Sequence, residues 1–368
     1  MIRSLLPVVE IADNFPSYNL PPSPPPAPYV PFHLTLDDYK ANFNPLGLLR
    51  QDVLREMKGS SDEYRSANKG GHGIWEFLED IGKPDETGDF QHEIVCVYFT
   101  EAIVQQGKDG LSRVMAEVVK GWKDQGKFPG PLAGWRNELY SIYAASYSSG
   151  LNQGPPTSPI MLGAGTFDNV AFHLERAACA LFGLATFGVH MTAYEGEGSE
   201  MKVWVPRRSK TKATWPGRLD NTVAGGTTAG STPFETIVKE CDEEAHLPED
   251  FVTKRLKNTG VCTYFYITDE GFLQPAEVEY IYDLPLPPSG SAEYIKPRPH
   301  DDEVESFALL SIDALIEALH SGDMKPNCGL VFVDFLIRHG FITPENEPSF
   351  LEIVWRMKRT LGVAMPGI

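Results

Sequence analysis

The fold is decided by the stretch VAGGTTAGSTPFETIVKECDEEAHL, residues Val223–Leu247, in which a glycine turn leads directly into a charged helix. Thr232, Pro233 and Glu235 predict the start of that helix, with Thr as the N-cap, Pro at the first helical position and Glu as the capping-box acid. Four carboxylates then occupy five consecutive positions, contributed by Glu240, Asp242, Glu243 and Glu244. Like charges at helical spacing repel, so solvent or a cation must compensate this cluster.

The acidic residues point in two directions when about 100° is counted per helical residue. One arc holds the three glutamates Glu240, Glu243 and Glu244, whereas Asp242 points away from it. The adjacent apolar face consists of Phe234, Ile237, Val238, Cys241 and Ala245. Hard divalent cations such as Mg²⁺ take oxygen ligands of this kind, usually together with substrate phosphates. A solvated acidic face is the alternative, but the preceding Ala224–Gly226 turn favours a ligand site because glycine lets the backbone approach a ligand.

This constellation resembles the Nudix box of diphosphate hydrolases, Gly-x5-Glu-x7-Arg-Glu-U-x-Glu-Glu-x-Gly-U with U apolar. Aligned without gaps, the chain supplies Gly225, Glu240, Cys241, Glu243, Glu244 and Leu247. The resemblance implies that Glu240, Glu243 and Glu244 bind Mg²⁺ or Mn²⁺ and act in catalysis. It also implies that the backbone carbonyl of Ala224 or Gly225 adds a metal ligand. We assign the carbonyl to Ala224, and we expect Gly225 and Gly226 to lie against the substrate.

Three positions depart from the box: Ser231 replaces the first Glu, Lys239 replaces Arg, and His246 replaces Gly. Ser231 and Lys239 form a linked pair of changes, since without the Glu there is no ion-pair partner that requires a bidentate Arg. His is among the residues enriched in left-handed conformations, so we expect His246 to replace glycine in that conformation. The three departures therefore affect residues that maintain the structure of the box more than the glutamates that carry its chemistry.

The sequence on both sides of the box is similar to a fungal and plant subfamily of Nudix hydrolases that is named after thiamine pyrophosphokinase. The similar segments are WVPRRSKTKATWPGRLDNTVAGG, GFLQPAEVEYIYDLPLP and KPNCGLVFVDFLIRHGFIT, with RNELY and LFGLATFGVH upstream. The resemblance implies hydrolysis of a small-molecule diphosphate, thiamine diphosphate or its oxidised forms, to the monophosphate. Oxidised nucleoside diphosphates such as 8-oxo-dGDP are the alternative substrates.

Two further groups of charged residues are candidates for the same site. By the resemblance, either Glu240 or a glutamate of a later loop takes the proton of the attacking water, and Glu303 in HDDEVESF is our candidate for the later loop. A basic cluster formed by Arg207, Arg208, Lys210 and Lys212 is suited to binding a diphosphate, although it could equally be a solvated strand end. Trp204 and Trp215 are the tryptophans nearest the box, and neither can be assigned to ring stacking from sequence.

Three other classes of function compete with this interpretation. An isopentenyl-diphosphate isomerase shares the PG…NT approach to the metal site, but it needs a Cys just after NT, where this chain has Val223 and Ala224. A thiamine kinase has no positive support, and the sequence contains no GxxxxGK[ST] loop. A non-catalytic ligand-binding Nudix module would be expected to lose a metal glutamate, and all three are present.

Composition limits the partners and the compartment. The net charge of −18 argues against a nucleic-acid surface, because such surfaces need clustered Lys and Arg. The five cysteines contain no CxxC pair, so we expect buried thiols in a reducing compartment. No apolar run approaches the ~20 residues of a membrane span, and Glu10 and Asp13 are atypical of a secretory signal. We therefore expect a cytoplasmic protein whose oligomeric state the sequence does not define.

The pattern of the chain predicts an α+β protein with a Nudix fold, a mixed sheet between helices, preceded by a smaller mixed α/β domain. We expect an N-terminal segment with a proline-rich tether (1–29), the extra domain (30–198), the Nudix domain (199–345) and a C-terminal helix (346–368). Residues 93–99 are typical of a strand, and residues 110–126 and 169–184 of helices. A strand followed by a basic loop is expected after Met201, further strands at 260–267 and 276–286, and further helices at 311–322, 329–341 and 349–362.

Overall fold

The protein is described by a computed structural model that covers residues 3–15, 29–69, 71–84, 90–145, 169–212, 214–267, 271 and 273–367. Most of the proline-rich stretch that we interpreted as a tether falls in 16–28, outside the described residues. No helix in the described ranges has the length and apolar character needed to cross a membrane.

The upstream half of the chain alternates short strands and helices. Its elements are α1 (Leu6–Ala12), β1 (Val30–His33), α2 (Leu36–Lys40), β2 (Gly47–Leu49), α3 (Gln51–Ala67), β3 (Trp75–Pro84), β4 (Phe90–Phe99), α4 (Glu101–Val104), α5 (Gly107–Asp124), α6 (Pro129–Leu132), β5 (Leu139–Tyr143), β6 (Val170–Glu175) and α7 (Arg176–Phe182). Four strands form a sheet in the order β2-β1-β4-β3, in which only β1 and β4 run parallel. The strands β5 and β6 form a separate antiparallel pair.

One hydrophobic core holds this upstream domain together and runs from Val30 to Leu184. The helix α5 contributes Leu111, Val114, Met115 and Val119 at helical spacing, which is why the amphipathic pattern at 110–126 predicted it correctly. Trp122 at its end stacks on Phe182 of α7 with ring centroids 5.6 Å apart. The helix predicted at 169–184 is only half correct, because 170–175 form β6, whose backbone pairs with β5.

The second half of the chain forms a larger sheet with helices on both faces. Its elements are β7 (Thr186–Glu195), a 3₁₀ turn (Gly198–Glu200), β8 (Lys202–Arg208), β9 (Val223–Gly226), α8 (Pro233–Ala245), α9 (Glu249–Thr253), β10 (Lys257–Ile267), β11 (Leu273–Pro285), β12 (Val304–Ser311), α10 (Ile312–Ser321), α11 (Pro326–Arg338) and α12 (Phe350–Arg356). Five strands lie in the order β10-β11-β7-β8-β12, and β9 pairs with β7. The central β7 and β11 are parallel, whereas the other pairs are antiparallel.

Successive side chains of a strand lie on opposite faces of the sheet, so apolar side chains pack in two cores, one on each face. On β8, Val203 and Val205 face the core formed with α10, α11 and α12, and Trp204 between them faces the core formed with α8 and α9. The amino-terminal helix α1 also packs on α11 and buries Leu5 and Val9 in the first of these cores. The segment ahead of the proline-rich stretch is therefore part of the folded second half.

The large sheet begins earlier than the boundary that we expected at residue 199. Its central strand β7 starts at Thr186, directly after α7, because the apolar run ATFGVHMTA is buried on both faces of the strand. We place the start of the second domain ahead of β7 for this reason. At the other end, the expected helix 349–362 is shorter and ends at Arg356. All five cysteines are free and buried, as expected.

Candidate functional site

The acidic helix α8 begins as its sequence predicts. The Thr232 hydroxyl accepts a hydrogen bond from the Glu235 backbone N–H at 3.1 Å, and the Glu235 carboxylate accepts one from the Thr232 N–H at 2.9 Å. The helix ends at His246, which adopts a left-handed conformation with φ 54° and ψ 40°. The box position that is usually Gly is thus occupied by a His in the conformation that Gly would adopt.

The apolar side of α8 anchors the helix on the sheet. Ile237, Cys241 and Ala245 are completely buried, whereas Phe234, which we had assigned to the same face, is 46% exposed in the first turn. Anchoring this side fixes the direction of the acidic side. The side chain of Glu240 is mostly buried, that of Glu243 is about half exposed at 49%, and Glu244 is buried.

The turn of β9 lies against two of these glutamates. The buried Glu244 accepts a hydrogen bond from the backbone N–H of Ala224 at 3.0 Å. A β-carbon on Gly225 would come within 2.4 Å of the Glu240 carboxyl carbon, so only glycine lets the turn and this carboxylate share the space. The glycine turn and α8 are therefore positioned by direct contact.

Burial and mutual repulsion disfavour full ionisation of the glutamates on the acidic side of α8. Burial raises the pKa of Glu240 to about 7, and the carboxylates of Glu243 and Glu303 add to the effect. Burial also raises the pKa of Glu244 well above its usual range. Lys239 offsets part of this charge, since its Nζ lies 2.9 Å from Glu243 and 4.0 Å from Glu240. The site would gain from a further positive charge.

A cavity of about 480 Å³ opens in front of this acidic side, between the upstream domain and the large sheet. From the second domain, its walls include Gly188, His190, Arg208, Lys212, Ala224, Gly225, Gly226, Glu240, Glu243, Glu277, Glu279, Glu303, Lys325 and Asn327. From the upstream domain, they include Arg136, Glu138, Tyr140 and Arg176. Glu244 lies behind the wall and does not line it. The cavity is a mixture of acidic and basic side chains with few aromatic ones.

The structure divides the predicted basic cluster. Arg208 and Lys212 line the cavity, where they pair with Asp220 and Glu303 respectively. The cavity wall does not include Arg207, whose guanidinium binds the Gly217 carbonyl and Asp323. Lys210 is exposed and also lies away from the wall. Neighbours on a strand point to opposite sides, which explains why Arg207 and Arg208 separate.

The acidic residue proposed from the later loop is on the cavity wall. Glu303 directly precedes β12 and contacts Lys212. Burial raises its pKa, but the hydrogen bond and charge of Lys212 outweigh burial and leave the pKa below its usual value. Neither Trp204, which is buried and donates to Glu195 at 2.7 Å, nor Trp215 lines the cavity.

Sequence reasoning did not assign the residues that the upstream domain contributes. The guanidinium of Arg176 lies 2.6 Å from the Glu138 carboxylate and 5.4 Å from the centre of the Tyr140 ring. The backbone of Leu139 accepts a hydrogen bond from Ala229 N–H at 2.8 Å, which ties β5 to the loop after the glycine turn. The segment RNELY could have indicated this contribution, because it places charged residues directly beside a buried strand.

A second acidic pair at the cavity was also not assigned. Glu277 and Glu279 alternate with Val278 on β11, so both carboxyl groups point to one side. Glu279 is buried and lies 3.3 Å from His190 and 3.0 Å from the Tyr264 hydroxyl. Burial and the neighbouring Glu279 raise the pKa of Glu277 to about 8. Two glutamates that alternate with an apolar residue within a predicted strand were the available signal.

The comparisons with known proteins agree with this architecture. Residues 185–327 match the NUDIX domain, which includes β7, the glycine turn and α8. The chain thus carries a NUDIX domain, and the predicted fold class, a Nudix fold with an additional N-terminal α/β region, is confirmed. The match begins at residue 185, in agreement with the position of β7 in the large sheet.

Three similar proteins illustrate the extent of the likeness. An uncharacterized protein of Saccharomyces cerevisiae is 41% identical over 62% of this chain and 63% of its own length. Nudix hydrolase 20, chloroplastic, of Arabidopsis thaliana is 33% identical over 78% of this chain and 66% of its own length. A crystal structure from Deinococcus radiodurans is 20% identical, covers 46% of this chain and 94% of that chain, and has a TM-score of 0.34. The chain therefore spans less than two thirds of these two sequence relatives, at 63% and 66%.

Proposed function

We propose that this chain hydrolyses the phosphoanhydride bond of a small organic diphosphate with the help of Mg²⁺ or Mn²⁺. The observation that carries the proposal is the meeting of Glu240 and Glu243 with the Ala224–Gly226 turn on one wall of a cavity that also contains cationic side chains. Hydrolysis of a phosphoanhydride needs neutralisation of its oxygens and an aligned water, and these are the groups that supply both.

The donor set fits a hard divalent cation. Its candidate ligands are the carboxylates of Glu240, Glu243 and Glu244 and the carbonyl of Ala224, all oxygens. In the described residues these three carboxylates do not converge within 4.8 Å of one another. Mg²⁺ commonly binds through one or two carboxylates plus substrate phosphates, so complete convergence is not required. A bound cation would polarise the phosphate and acidify a water molecule.

The chain's own residues divide the remaining tasks. We assign the task of accepting the water proton to Glu240 ahead of Glu303, because Glu240 lies beside the glycine turn on the cavity wall whereas Glu303 is paired with Lys212. Glu303 is held ionised by Lys212 and positions that lysine. Arg208 and Lys325 add positive charge to the cavity wall, and the buried Asp220 keeps Arg208 in place. Gly225 and Gly226 keep the wall free of side chains.

We propose thiamine diphosphate and its oxidised analogues as the substrates. The support is the similarity of the flanking segments to the thiamine pyrophosphokinase-related Nudix subfamily, together with the acidic groups on the cavity wall. A thiazolium is positively charged, and the Glu138 carboxylate on the cavity wall would favour an organic cation. The neutral base of 8-oxo-dGDP gains less from such a wall and would depend on hydrogen bonds to its base edge.

A substrate panel tests the proposal. Phosphate release is measured for thiamine diphosphate, oxo-thiamine diphosphate, 8-oxo-dGDP and unmodified nucleoside di- and triphosphates at one Mg²⁺ concentration. We expect the thiamine compounds to have the highest kcat/KM. A clear preference for 8-oxo-dGDP would overturn the substrate assignment and keep the hydrolase, whereas tight binding without release of phosphate from any compound would identify a binding module.

A further inference from the structure

A cluster of metal-ligating side chains lies at the C-terminal end of α8. Asp242, His246 and His300 each offer one ligand atom, and these atoms lie within 4.8 Å of one another. None of the three residues lines the cavity. Asp242 is the acidic residue that points away from the arc of Glu240, Glu243 and Glu244. The cluster is therefore separate from the proposed site of the catalytic cation.

The helix end fixes the relative positions of Asp242 and His246. The two residues are four apart, a spacing that places side chains on one face of a helix. The His246 N–H donates to the Asp242 carbonyl at 3.1 Å, and φ is 54°, a value that favours glycine over residues with a β-carbon. The chain thus keeps an imidazole at a position where the backbone would prefer glycine.

The third member comes from a different segment of the chain. His300 precedes β12, and its Nδ1 lies 2.7 Å from the Asp242 carbonyl oxygen. Protonated Nδ1 donating to a carbonyl leaves Nε2 with a free lone pair, and metal-bound histidines use this arrangement. The rings of His246 and His300 are 4.3 Å apart between centroids. In the described structure, the buried Nδ1 of His246 has no hydrogen-bond partner.

We infer that Asp242, His246 and His300 form a second metal site, for a transition-metal ion of the Zn²⁺ class. Two imidazoles and one carboxylate suit Zn²⁺, Co²⁺ or Ni²⁺, whereas Mg²⁺ prefers sites made only of oxygen. The ion would join the end of α8 to the segment that carries Glu303. The backbone already links them, because the Arg298 N–H donates to the Ala245 carbonyl at 3.1 Å. Binding of the ion should therefore stabilise the position of this segment.

The test is a Zn²⁺ titration of the full chain whose oxygen site is kept saturated with Mg²⁺. The variants are H300N and H246G, the latter because glycine suits the left-handed backbone at that position. The control is H72N, which removes an exposed histidine of the upstream domain that is not part of the cluster. Calorimetry gives the number of Zn²⁺ ions and their affinity, and the absorption of bound Co²⁺ reports coordination by imidazole. Circular dichroism checks that each variant is folded.

We expect wild type and H72N to bind one more Zn²⁺ than H246G, and H300N to bind that ion at least ~10-fold more weakly. The Co²⁺ absorption band should be lost in both cluster variants. Equal Zn²⁺ affinity in wild type and both cluster variants would overturn the assignment, as would a folded wild type that binds no Zn²⁺. Neither readout depends on hydrolysis, so the outcome is independent of the proposed function.

Discussion

The hydroxyl of Tyr140 lies where a side chain on Gly226 would have to be. A β-carbon on Gly226 would stand 1.8 Å from the Tyr140 oxygen, so the glycine turn of one domain and a strand of the other meet in direct contact. Tyr140 is buried in the core of the upstream domain and cannot retreat without disturbing it. The cavity is consequently shaped by both domains at the point where the turn approaches the substrate.

This contact predicts that G226A reduces hydrolysis by displacing Tyr140 and the turn. Overpacking of this kind costs about 1–3 kcal/mol, which corresponds to a loss of about 5-fold to about 160-fold in rate if the whole cost falls on the active geometry. The double variant G226A/Y140F removes the clashing oxygen and should recover much of the activity. Steady-state kinetics on the four proteins of the cycle measures the coupling. Strictly additive losses would show that the two residues act independently.

A second prediction concerns Arg176, which the upstream domain presents to the cavity beside Glu138 and Tyr140. We expect R176Q to raise KM about 10-fold with a small change in kcat, because the guanidinium contributes to substrate binding. R113Q on the exposed side of α5 is the matched control for removal of one Arg. A fall in kcat with KM unchanged would instead place Arg176 in the chemical step.

The contribution of the upstream domain to substrate binding has to be tested with point variants, because the domain cannot be removed by starting the chain at Met201. A fragment that starts there loses β7, the strand that pairs with β8, β9 and β11 at the centre of the large sheet. It also loses α1, which buries Val9 against the second half of the chain. We expect such a fragment to fail to fold.

What the sequence predicted was mostly local. The cap at Thr232 and the left-handed His246 depend on neighbours within a few residues, and the structure shows both. The strand Val170–Glu175 was mistaken for a helix because its pairing with β5 crosses many residues and leaves no local pattern. For the same reason, no spacing rule could bring Tyr140 or Arg176 to the cavity. The fold class was predictable, and the composite nature of the cavity was not.

A third prediction is a pH dependence of stability centred on Asp283. This buried carboxylate accepts hydrogen bonds from Arg338 at 2.7 and 3.0 Å and lies 2.9 Å from His339 Nε2. Burial raises its pKa, but these partners outweigh burial and hold it below its usual value. Ionised Asp283 therefore stabilises the folded state. This stabilisation is fully present above the unfolded-state pKa of about 3.9 and is lost as the pH falls through the lower folded-state pKa.

We therefore expect D283N to lower the free energy of unfolding at pH 7 by about 3 kcal/mol, since one partner of a mostly buried ion pair is removed. The difference from wild type should shrink when both proteins are unfolded by urea at a pH below 4. D250N, which removes an exposed carboxylate paired with Lys254 at 3.7 Å, should have little effect at either pH. An effect of D283N that is equal at both pH values would contradict this account.

The central claim is that the carboxylates of α8 carry the chemistry, and its most direct test is the rate of phosphate release by E240Q/E243Q. Gln keeps the size of both side chains, so the cavity should be preserved while the ability to bind the cation and accept a proton is lost. The control E249Q/D250N removes two exposed carboxylates from the next helix. At saturating Mg²⁺ we predict a loss of ~10³-fold or more in kcat for the first variant and near wild-type turnover for the control. A folded E240Q/E243Q protein with unchanged turnover would contradict the claim.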